Sequence, residues 1–306
     1  MSNVRAAAGP PSPLAREGRG GGSPPRADVR AESPLPNPPP QGGRGSGAAV
    51  QRLARVFRYD SGPSGALLPH AVAVETPIEI AYGGQPFAVM MGTPADLEDF
   101  AAGFSLTESI VERFEEIRAI EVSLDADTAR VNVALTGDRM RTHLARRRAI
   151  AGRTGCGVCG VEDLQHLPKA KPRRASSVPS PQAIGAAVAA LDEHQPLNAL
   201  TRAVHAAAWR PAAGDVLTVR EDVGRHNALD KCIGALLRHG VTPEGGFFLV
   251  TSRCSYEMVT KAAAFGAAAL VSVSAPTSLA LKAADAAGVR LIVTARRDQA
   301  LQFEEL

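Results

Sequence analysis

The chain has 306 residues, 45% of them apolar and 21% charged, ordinary values for a globular protein with one large core or two smaller ones. No apolar run is long enough to cross a bilayer and no apolar segment follows the first arginine, so a spanning helix and a secretory signal are not expected and the cytoplasm is the expected compartment. The formal charge of +3 lies entirely in residues 1–50, which hold six arginines against three acids; the remainder balances at 28 and 28, so neither nucleic acid nor a membrane surface is implied as a partner.

Residues 1–50 contain ten of the 23 prolines and nine of the 29 glycines with almost no aromatic or β-branched side chain, and are read as a disordered tail that buries no core. A natural start near Val50 or Val56 is hypothesised on the same ground. From Val72 the pattern changes. Glu79-Ile-Ala-Tyr-Gly-Gly-Gln-Pro-Phe-Ala-Val-Met-Met reads as two strands about a Gly83-Gly84 turn. Thr93-Pro94 opens a helix with Leu97, Phe100, Ala101 and Phe104 at helical spacing. Ile117–Leu124 and Ala129–Leu135 read as a strand pair about Asp125-Ala-Asp-Thr. Met140–Ala149 is an arginine-rich helix or loop that runs into Gly152-Arg-Thr-Gly-Cys-Gly-Val-Cys-Gly160. Residues 168–181, with four prolines and several bases, read as a linker, and a helix from about Gln182 to Glu193 follows.

The last hundred residues repeat one unit: strand, loop, helix, glycine stop. Strands are expected at Val216–Val219, Phe247–Thr251, Leu270–Ser274 and Arg290–Thr294, and the helices between them end at Gly240, Gly266 and Gly288. This is an α/β layer, in which ligands bind beyond the carboxyl ends of the strands. The segments falling there are Glu221-Asp-Val-Gly-Arg-His-Asn, Ser252-Arg-Cys-Ser-Tyr, Ala275-Pro-Thr-Ser and Ala295-Arg-Arg-Asp, all polar. The organisation expected is a tail (1–50), a smaller β-rich α+β N-terminal subdomain (51–150), a Cys-x-x-Cys loop with linker (151–181) and an α/β ligand-binding subdomain (182–306).

Two features carry chemistry. Four glycines in nine residues leave the 152–160 loop free to move, and Arg153 with Arg146, Arg147 and Arg148 brings positive charge near Cys156, which favours thiolate. Such a sulfur suits a group carrier. A structural zinc half-site and a redox pair are the competing readings; neither a second Cys-x-x-Cys nor a His-x-x-x-His accompanies it, and no metal is expected. The second feature is Glu221–Lys231, where N–H groups at a helix start, with Arg225 and Lys231, could hold a phosphate. His226 and Asp230 stand four apart, the spacing of a helical pair. Ser252, Ser255, Ser274 and Thr277 are placed as N-caps or ligand donors, and Cys232 and Cys254 read as core residues.

Arg153-Thr-Gly-Cys-Gly-Val-Cys-Gly160, Glu221–Lys231, Tyr256-Glu-Met-Val-Thr-Lys-Ala-Ala263 and Ser274-Ala-Pro-Thr-Ser-Leu-Ala280 resemble, in order, the formate dehydrogenase accessory sulfurtransferases, the FdhD family. Glu75-Thr-Pro-Ile-Glu-Ile, Thr93-Pro94 and Ala102-Gly-Phe104 fit its N-terminal part, and the likeness runs over roughly residues 55–303. The resemblance implies a cytoplasmic homodimer with a cytidine-deaminase-like α/β domain. It implies that sulfur comes from a cysteine desulfurase as a persulfide on Cys156, with Cys159 assisting. The acceptor implied is the molybdenum (or tungsten) bis-pyranopterin guanine dinucleotide cofactor of the formate dehydrogenase catalytic subunit, bound as substrate, with a guanine nucleotide as its mimic. The residues placed on that substrate are Asp222, Gly224, Arg225, His226, Asn227, Asp230, Lys231, Ser252, Ser255, Ser274, Ala275, Pro276 and Thr277, followed by Thr294, Ala295, Arg296, Arg297, Asp298 and Gln299. In the last segment the commoner family pattern Phe-x-Arg-Gly is replaced, and only Arg296 is kept. The deaminases' zinc signature, His-x-Glu with Pro-Cys-x-x-Cys, is absent from the sequence, so a shared fold does not carry their chemistry. A cofactor-binding chaperone without sulfur chemistry and a zinc hydrolase are the alternatives, separated by a Cys156→Ala variant and by zinc content.

Overall fold

The structure is a computed structural model that describes residues 47–148, 179–211 and 217–303. Three sheets organise them. Strands β1 (Ala49–Arg58) and β2 (Gly62–Ala73) form an antiparallel ribbon by themselves. Strands β3 (Thr76–Tyr82), β4 (Gln85–Gly92), β5 (Ile117–Leu124) and β6 (Ala129–Leu135) form a sheet in the order β4-β3-β6-β5. Strands β7 (His205–Arg210), β8 (Thr218–Asp222), β9 (Phe247–Val250), β10 (Ala269–Ser272), β11 (Arg290–Val293) and β12 (Leu301–Gln302) form the third, in the order β12-β11-β10-β9-β7-β8. The chain is thus mixed α/β.

Local sequence accounts for most of these elements. Gly83 and Gly84 take φ of +57° and +76° and close the β3–β4 hairpin where the Gly-Gly pair predicts it. Helix α1 (Leu97–Thr107) presents Leu97, Phe100, Ala101 and Phe104 to the core, but it begins three residues after Pro94, behind Asp96 held at φ +53°. Helix α2 (Gly137–Arg148) is a helix throughout, resolving the helix-or-loop alternative. Helix α3 (Pro181–Ala190), with a 3-10 turn over Leu191–His194, fills the expected 182–193 span; Ser180 Oγ caps it by accepting from Ala183 N at 3.1 Å. A short helix α4 (Pro196–Thr201) follows. Helices α5 (Arg225–Arg238), α6 (Tyr256–Phe265) and α7 (Ser278–Ala287) lie where the repeat places them, and Gly240, Gly266 and Gly288 all take positive φ just beyond their ends.

Strands β1, β2, β7 and β12 have no counterpart in the sequence expectation, and β8 runs on through Asp222 where its end was expected at Val219, so Glu221 and Asp222 belong to the strand and not to the loop beyond it. Ala49 and Val50 belong to β1, so the tail assigned to 1–50 stops short of that boundary; residues 1–46 lie outside the described residues. The ribbon escaped notice because Pro63, Pro69, Gly62 and Gly65 break the alternation of β2. Strand β7, His205-Ala-Ala-Ala-Trp-Arg, carries too little contrast between its faces to signal a strand. It runs antiparallel between β8 and β9, so β8, β9, β10 and β11 remain mutually parallel and their carboxyl ends share one edge.

The six-stranded sheet is buried on both faces. Ala207, Trp209, Phe248, Val250, Leu270 and Val293 face one cluster, which also holds α1, α5, α6, α7 and the inner face of the four-stranded sheet. Ala206, Ala208, Phe247, Leu249, Val271 and Ile292 face the other, against Ala187 and Leu191. Helix α1 lies between the four-stranded sheet and α5. It approaches α5 so closely that a Cβ at Gly103 would stand 1.8 Å from the Asp230 carbonyl oxygen, and one at Gly234 would stand 1.8 Å from that of Asp99. Only glycine fits at this crossing. The crossing is pinned at one end by Asp99, which accepts from Arg220 Nε at 2.8 Å and from Arg238 at 2.5 Å.

Candidate functional site at the sheet edge

The four loops after β8, β9, β10 and β11 meet at the shared carboxyl edge. The first, Val223–Gly224, is locked from below. Asp222 is fully buried and accepts from Gly224 N at 2.7 Å, Asn227 Nδ2 at 3.1 Å and Thr93 N at 3.0 Å. Lys231, equally buried, places Nζ 2.6 Å from Asp222 Oδ2 and donates to the Thr93 carbonyl at 2.9 Å. Asn227 also donates to the Met91 carbonyl, and Thr93 Oγ1 accepts from Val223 N. This group ties the β4–α1 connection to the start of α5, with every charge paired inside the protein. The expectation that Lys231 joins Arg225 at a phosphate therefore meets a different placement: Lys231 is buried and committed to Asp222, and Arg225 is the less buried of the two.

One turn further along α5, Asp230 is buried and bound by Lys261 Nζ at 2.8 and 3.1 Å and by Thr107 Oγ1 at 2.8 Å; Lys261 also reaches Glu108 at 3.2 Å and lies over the Phe104 ring at 5.7 Å. Burial raises the Asp230 carboxyl to about 6 against the pull of Lys261. Burial opposes the charge on Lys261, but Asp230 and Glu108 outweigh it and hold its pKa above the ordinary value. The helical spacing of His226 and Asp230 does not make them partners. Asp230 goes to Lys261, while His226 Nε2 lies 3.8 Å from Glu257 on α6.

The mouth is built differently. Gly224 precedes α5 and Ser255 precedes α6, and neither helix start has a side-chain cap. The Ser255 hydroxyl instead donates to Glu257 Oε2 at 2.8 Å. First-turn N–H groups of such helices have no intrahelical acceptor and favour negative charge. Beside them, Arg225 Nε and His226 Nε2 are shielded from solvent and have no hydrogen-bond partner among the described residues. Burial, then the positive charges of Lys261 and Arg225, lowers the His226 pKa to about 4, so the imidazole is neutral near pH 7. Burial alone would raise Glu257; the Ser255 hydroxyl, its own backbone N–H and the charges of His226 and Arg225 bring it below its ordinary value. His205, which begins β7 opposite Asp222, stands at the same edge, and burial followed by the charge of Arg225 lowers its pKa too. Sequence reasoning missed His205, Thr93, Glu257 and Lys261. Glu257 and Lys261 sat in a quoted motif, but nothing local paired them with α5.

The remaining loops are zipped to one another. Cys254 N donates to the Ala275 carbonyl and Thr277 N to the Cys254 carbonyl, a parallel bridge opposite Pro276. Ser252 is buried, its carbonyl accepting from Ser272 Oγ at 2.8 Å and its hydroxyl donating to the Arg253 carbonyl. Ser272 Oγ also bridges the backbone of Ser274. Thr277 caps α7 by accepting from Ala280 N at 3.2 Å. Thr294 N donates to the Ser274 carbonyl and Ala295 N to that of Ser272. Thr294 takes φ +53°, a costly conformation for a β-branched residue, which turns the chain out over the edge. Arg296 clamps that turn through the Val273 and Ala295 carbonyls at 2.5 and 2.9 Å, leaving Arg297, Asp298 and Gln299 exposed.

Cys232 and Cys254 are fully buried, and burial pushes both thiols up to about 12, which suits packing and not chemistry. Cys156 and Cys159 lie outside the described residues; α2 ends eight residues before Cys156. His143 of α2 packs between Tyr82 and Phe87, at centroid distances of 4.9 and 5.5 Å, which seats that helix on the four-stranded sheet. Among the described residues no helix is long and apolar enough to cross a membrane.

A family model described as the FdhD/NarQ family matches residues 73–305. The protein named Sulfur carrier protein FdhD from Xanthomonas euvesicatoria pv. vesicatoria (strain 85-10) is 46% identical over 245 residues, 80% of this chain and 87% of that one. Its namesake from Bordetella petrii is 47% identical over 241 residues, 78% of this chain and 87% of the relative. A crystal structure from Desulfotalea psychrophila, described as a formate dehydrogenase accessory protein, superposes with a TM-score of 0.65 at 25% identity, covering 83% of this chain and 96% of that one.

Proposed function

The chain belongs to the FdhD/NarQ family, and from this we propose that it is a sulfur carrier that serves a formate dehydrogenase. In this reading Cys156 takes sulfur from a cysteine desulfurase. The donor's S–S bond breaks, its electron pair leaves on the donor cysteine, and a new S–S bond forms at Cys156. Cys159 assists as the thiolate that attacks Cys156 Sγ: the S–S bond to the outer sulfur breaks, its electron pair leaves with that sulfur at the sulfide level for the molybdenum bis-pyranopterin guanine dinucleotide of the dehydrogenase, held at the β8–β11 edge as substrate, and the Cys156–Cys159 disulfide left behind is reduced by a dithiol. The protein is a cytoplasmic homodimer, and its six-stranded sheet with helices on both faces is a cytidine-deaminase-like layer.

The observation that carries the proposal is the donor set at the mouth. Two uncapped helix starts, α5 and α6, converge with Arg225 Nε and His226 Nε2 left without hydrogen-bond partners among the described residues. Phosphates need N–H groups and a cation, and a guanine offers both donors and acceptors, which a neutral imidazole can answer in kind. The buried anchors beneath hold these groups in place and add no exposed charge of their own. Such a substrate would supply phosphates and a purine to the edge, and the residues that would hold it are Gly224, Arg225, His226 and Ser255, together with the 294–299 turn.

The test is intact-mass analysis after incubation with a cysteine desulfurase and cysteine. An adduct of about 32 Da, one sulfur, mapping to Cys156 is expected; no adduct overturns the carrier mechanism. Formate dehydrogenase activity that survives Cys156→Ala would instead favour a cofactor-binding chaperone.

A further inference from the structure

Among the described residues the β1–β2 ribbon has no third strand, and the matched family region begins only at its last residue. It carries large apolar side chains in the open: Leu53, Val56, Phe57, Tyr59, Leu67 and Leu68 are all half or more exposed. Cross-strand pairing puts them on both faces, Leu53 and Phe57 opposite Pro69 and Pro63 on one, Val56 and Leu68 opposite Ser64 and Ala54 on the other. A two-stranded ribbon has no interior of its own, and exposed apolar strands with free edges are normally covered. Within the chain β2 rests on α4, where Leu200 extends the exposed apolar surface.

The ribbon is also cationic. Arg52, Arg55 and Arg58 have no ion-pair partner among the described residues, and Asp60 is its neighbour at the tip. The complement stands elsewhere on the same molecule. Strand β5 is an edge strand with its outer side unpaired, exposing Val122 and Leu124; Glu121 on the strand and Asp125 and Asp127 in the turn after it are exposed and without an ion pair among the described residues, against one such cation, Arg118, at the far end of the strand. Register fixes where this surface lies. Ile78, near the start of β3, pairs with Ala129, and Ala129 pairs with Leu124. Because β2 runs straight into β3, the ribbon and the acidic turn leave the four-stranded sheet at the same end. At about 3.3 Å per residue, strands of 10 and 12 residues reach roughly 35–40 Å. Two copies facing each other at that end make both contacts at once, the reciprocity a twofold interface requires.

We propose that the β1–β2 ribbon is a dimerisation arm that lays its apolar, cationic surface on the β5–β6 edge of a second copy of this chain. The proposal rests on the homodimer in the reading above and assigns its interface.

Sedimentation of the full chain tests it. The wild type is expected to be a dimer, and R52E/R55E/R58E and E121K/D125K/D127K are each expected to dissociate, with self-association weakened roughly tenfold or more. An equimolar mixture of the two variants is expected to dimerise again, since one contact of the mixed pair is wild type and the other is charge-reversed. Unaltered dimers from both variants, or no dimer in the mixture, overturn the assigned interface while the homodimer stands; a monomeric wild type overturns both. Hydrogen exchange on the unsubstituted chain guards against misfolded variants: amides of 49–73 and 117–124 are expected to slow with protein concentration, and concentration-independent exchange there overturns the arm. Sulfur loading of Cys156, followed by mass, reports separately on the carrier chemistry.

Discussion

Within the ten residues from Asp222 to Lys231, two populations of charge stand side by side. Asp222, Asn227, Asp230 and Lys231 point inward, are 3% exposed or less, and have partners at 3.1 Å or closer. Arg225 and His226, in the first turn of that helix, are only half-buried and each keeps one nitrogen without a hydrogen bond among the described residues. The first group is architecture: it fastens the N-terminal sheet and α1 to the ligand edge and stabilises the fold. The second keeps two donors without hydrogen-bond partners among the described residues. A motif dense in charged residues is therefore not a uniform binding site, and the inner layer sets the electrostatics of the outer, since Lys261 is among the charges that keep His226 neutral.

Substitutions that break this division should differ sharply in cost. The largest loss is expected from Lys231→Met, which strands the fully buried Asp222 carboxylate: about 3–5 kcal/mol by chemical denaturation. Asp222→Asn on top of it should recover part of that loss. Next comes Gly234→Ala at the α1–α5 crossing, where the added Cβ meets a backbone carbonyl; a loss of about 3 kcal/mol with a lowered Tm is expected, because backbone cannot step aside as a side chain can. An unchanged Tm would show that the two helices separate at little cost.

The third prediction concerns pH. His226 takes its proton near pH 6.5 in an unfolded chain and near 4 when folded, so the stability it contributes is complete above pH 6.5 and drains as pH falls from there through 4. Asp230 has the opposite slope, its contribution present below about pH 4 and lost as pH rises through 6. The comparison must therefore be between variant and wild type: His226→Gln should lose less stability than wild type on acidification from pH 7 to 4. The His226 resonance should titrate near pH 4, and Lys261→Met should move it upward by removing a neighbouring cation. The smallest effect on stability is expected at the mouth. Arg225→Ala should change it by no more than about 0.5 kcal/mol, yet weaken GDP binding roughly tenfold by calorimetry through loss of a charge-assisted contact. A large stability loss there, with binding intact, would erase the distinction between anchor and mouth.

Much of the framework was legible along the chain. The repeated strand, loop, helix and glycine stop placed β9, β10, β11, α5, α6 and α7 to within a residue or two, because buried parallel strands are apolar runs and a left-handed helix end favours glycine. The Gly83-Gly84 hairpin and the β5–β6 pair followed from turn chemistry and alternation in the same way. Strand β7 and the ribbon did not, since three alanines and a proline-interrupted strand carry no periodic contrast.

Sequence by itself determined that the loops after β8, β9, β10 and β11 converge at one edge, because the order of strands and helices fixes where those loops must emerge. It did not determine what those residues do there. Asp222 and Lys231 are nine apart, Asp230 and Lys261 thirty-one, Asp222 and Thr93 one hundred and twenty-nine; only folding brings each pair together. Whether a charge is an anchor or a ligand contact depends on whether burial has already given it a partner, and desolvation is a property of the packed structure. That is why the same motif reads as one binding loop in sequence and as a locked base beside two donors without hydrogen bonds among the described residues in three dimensions.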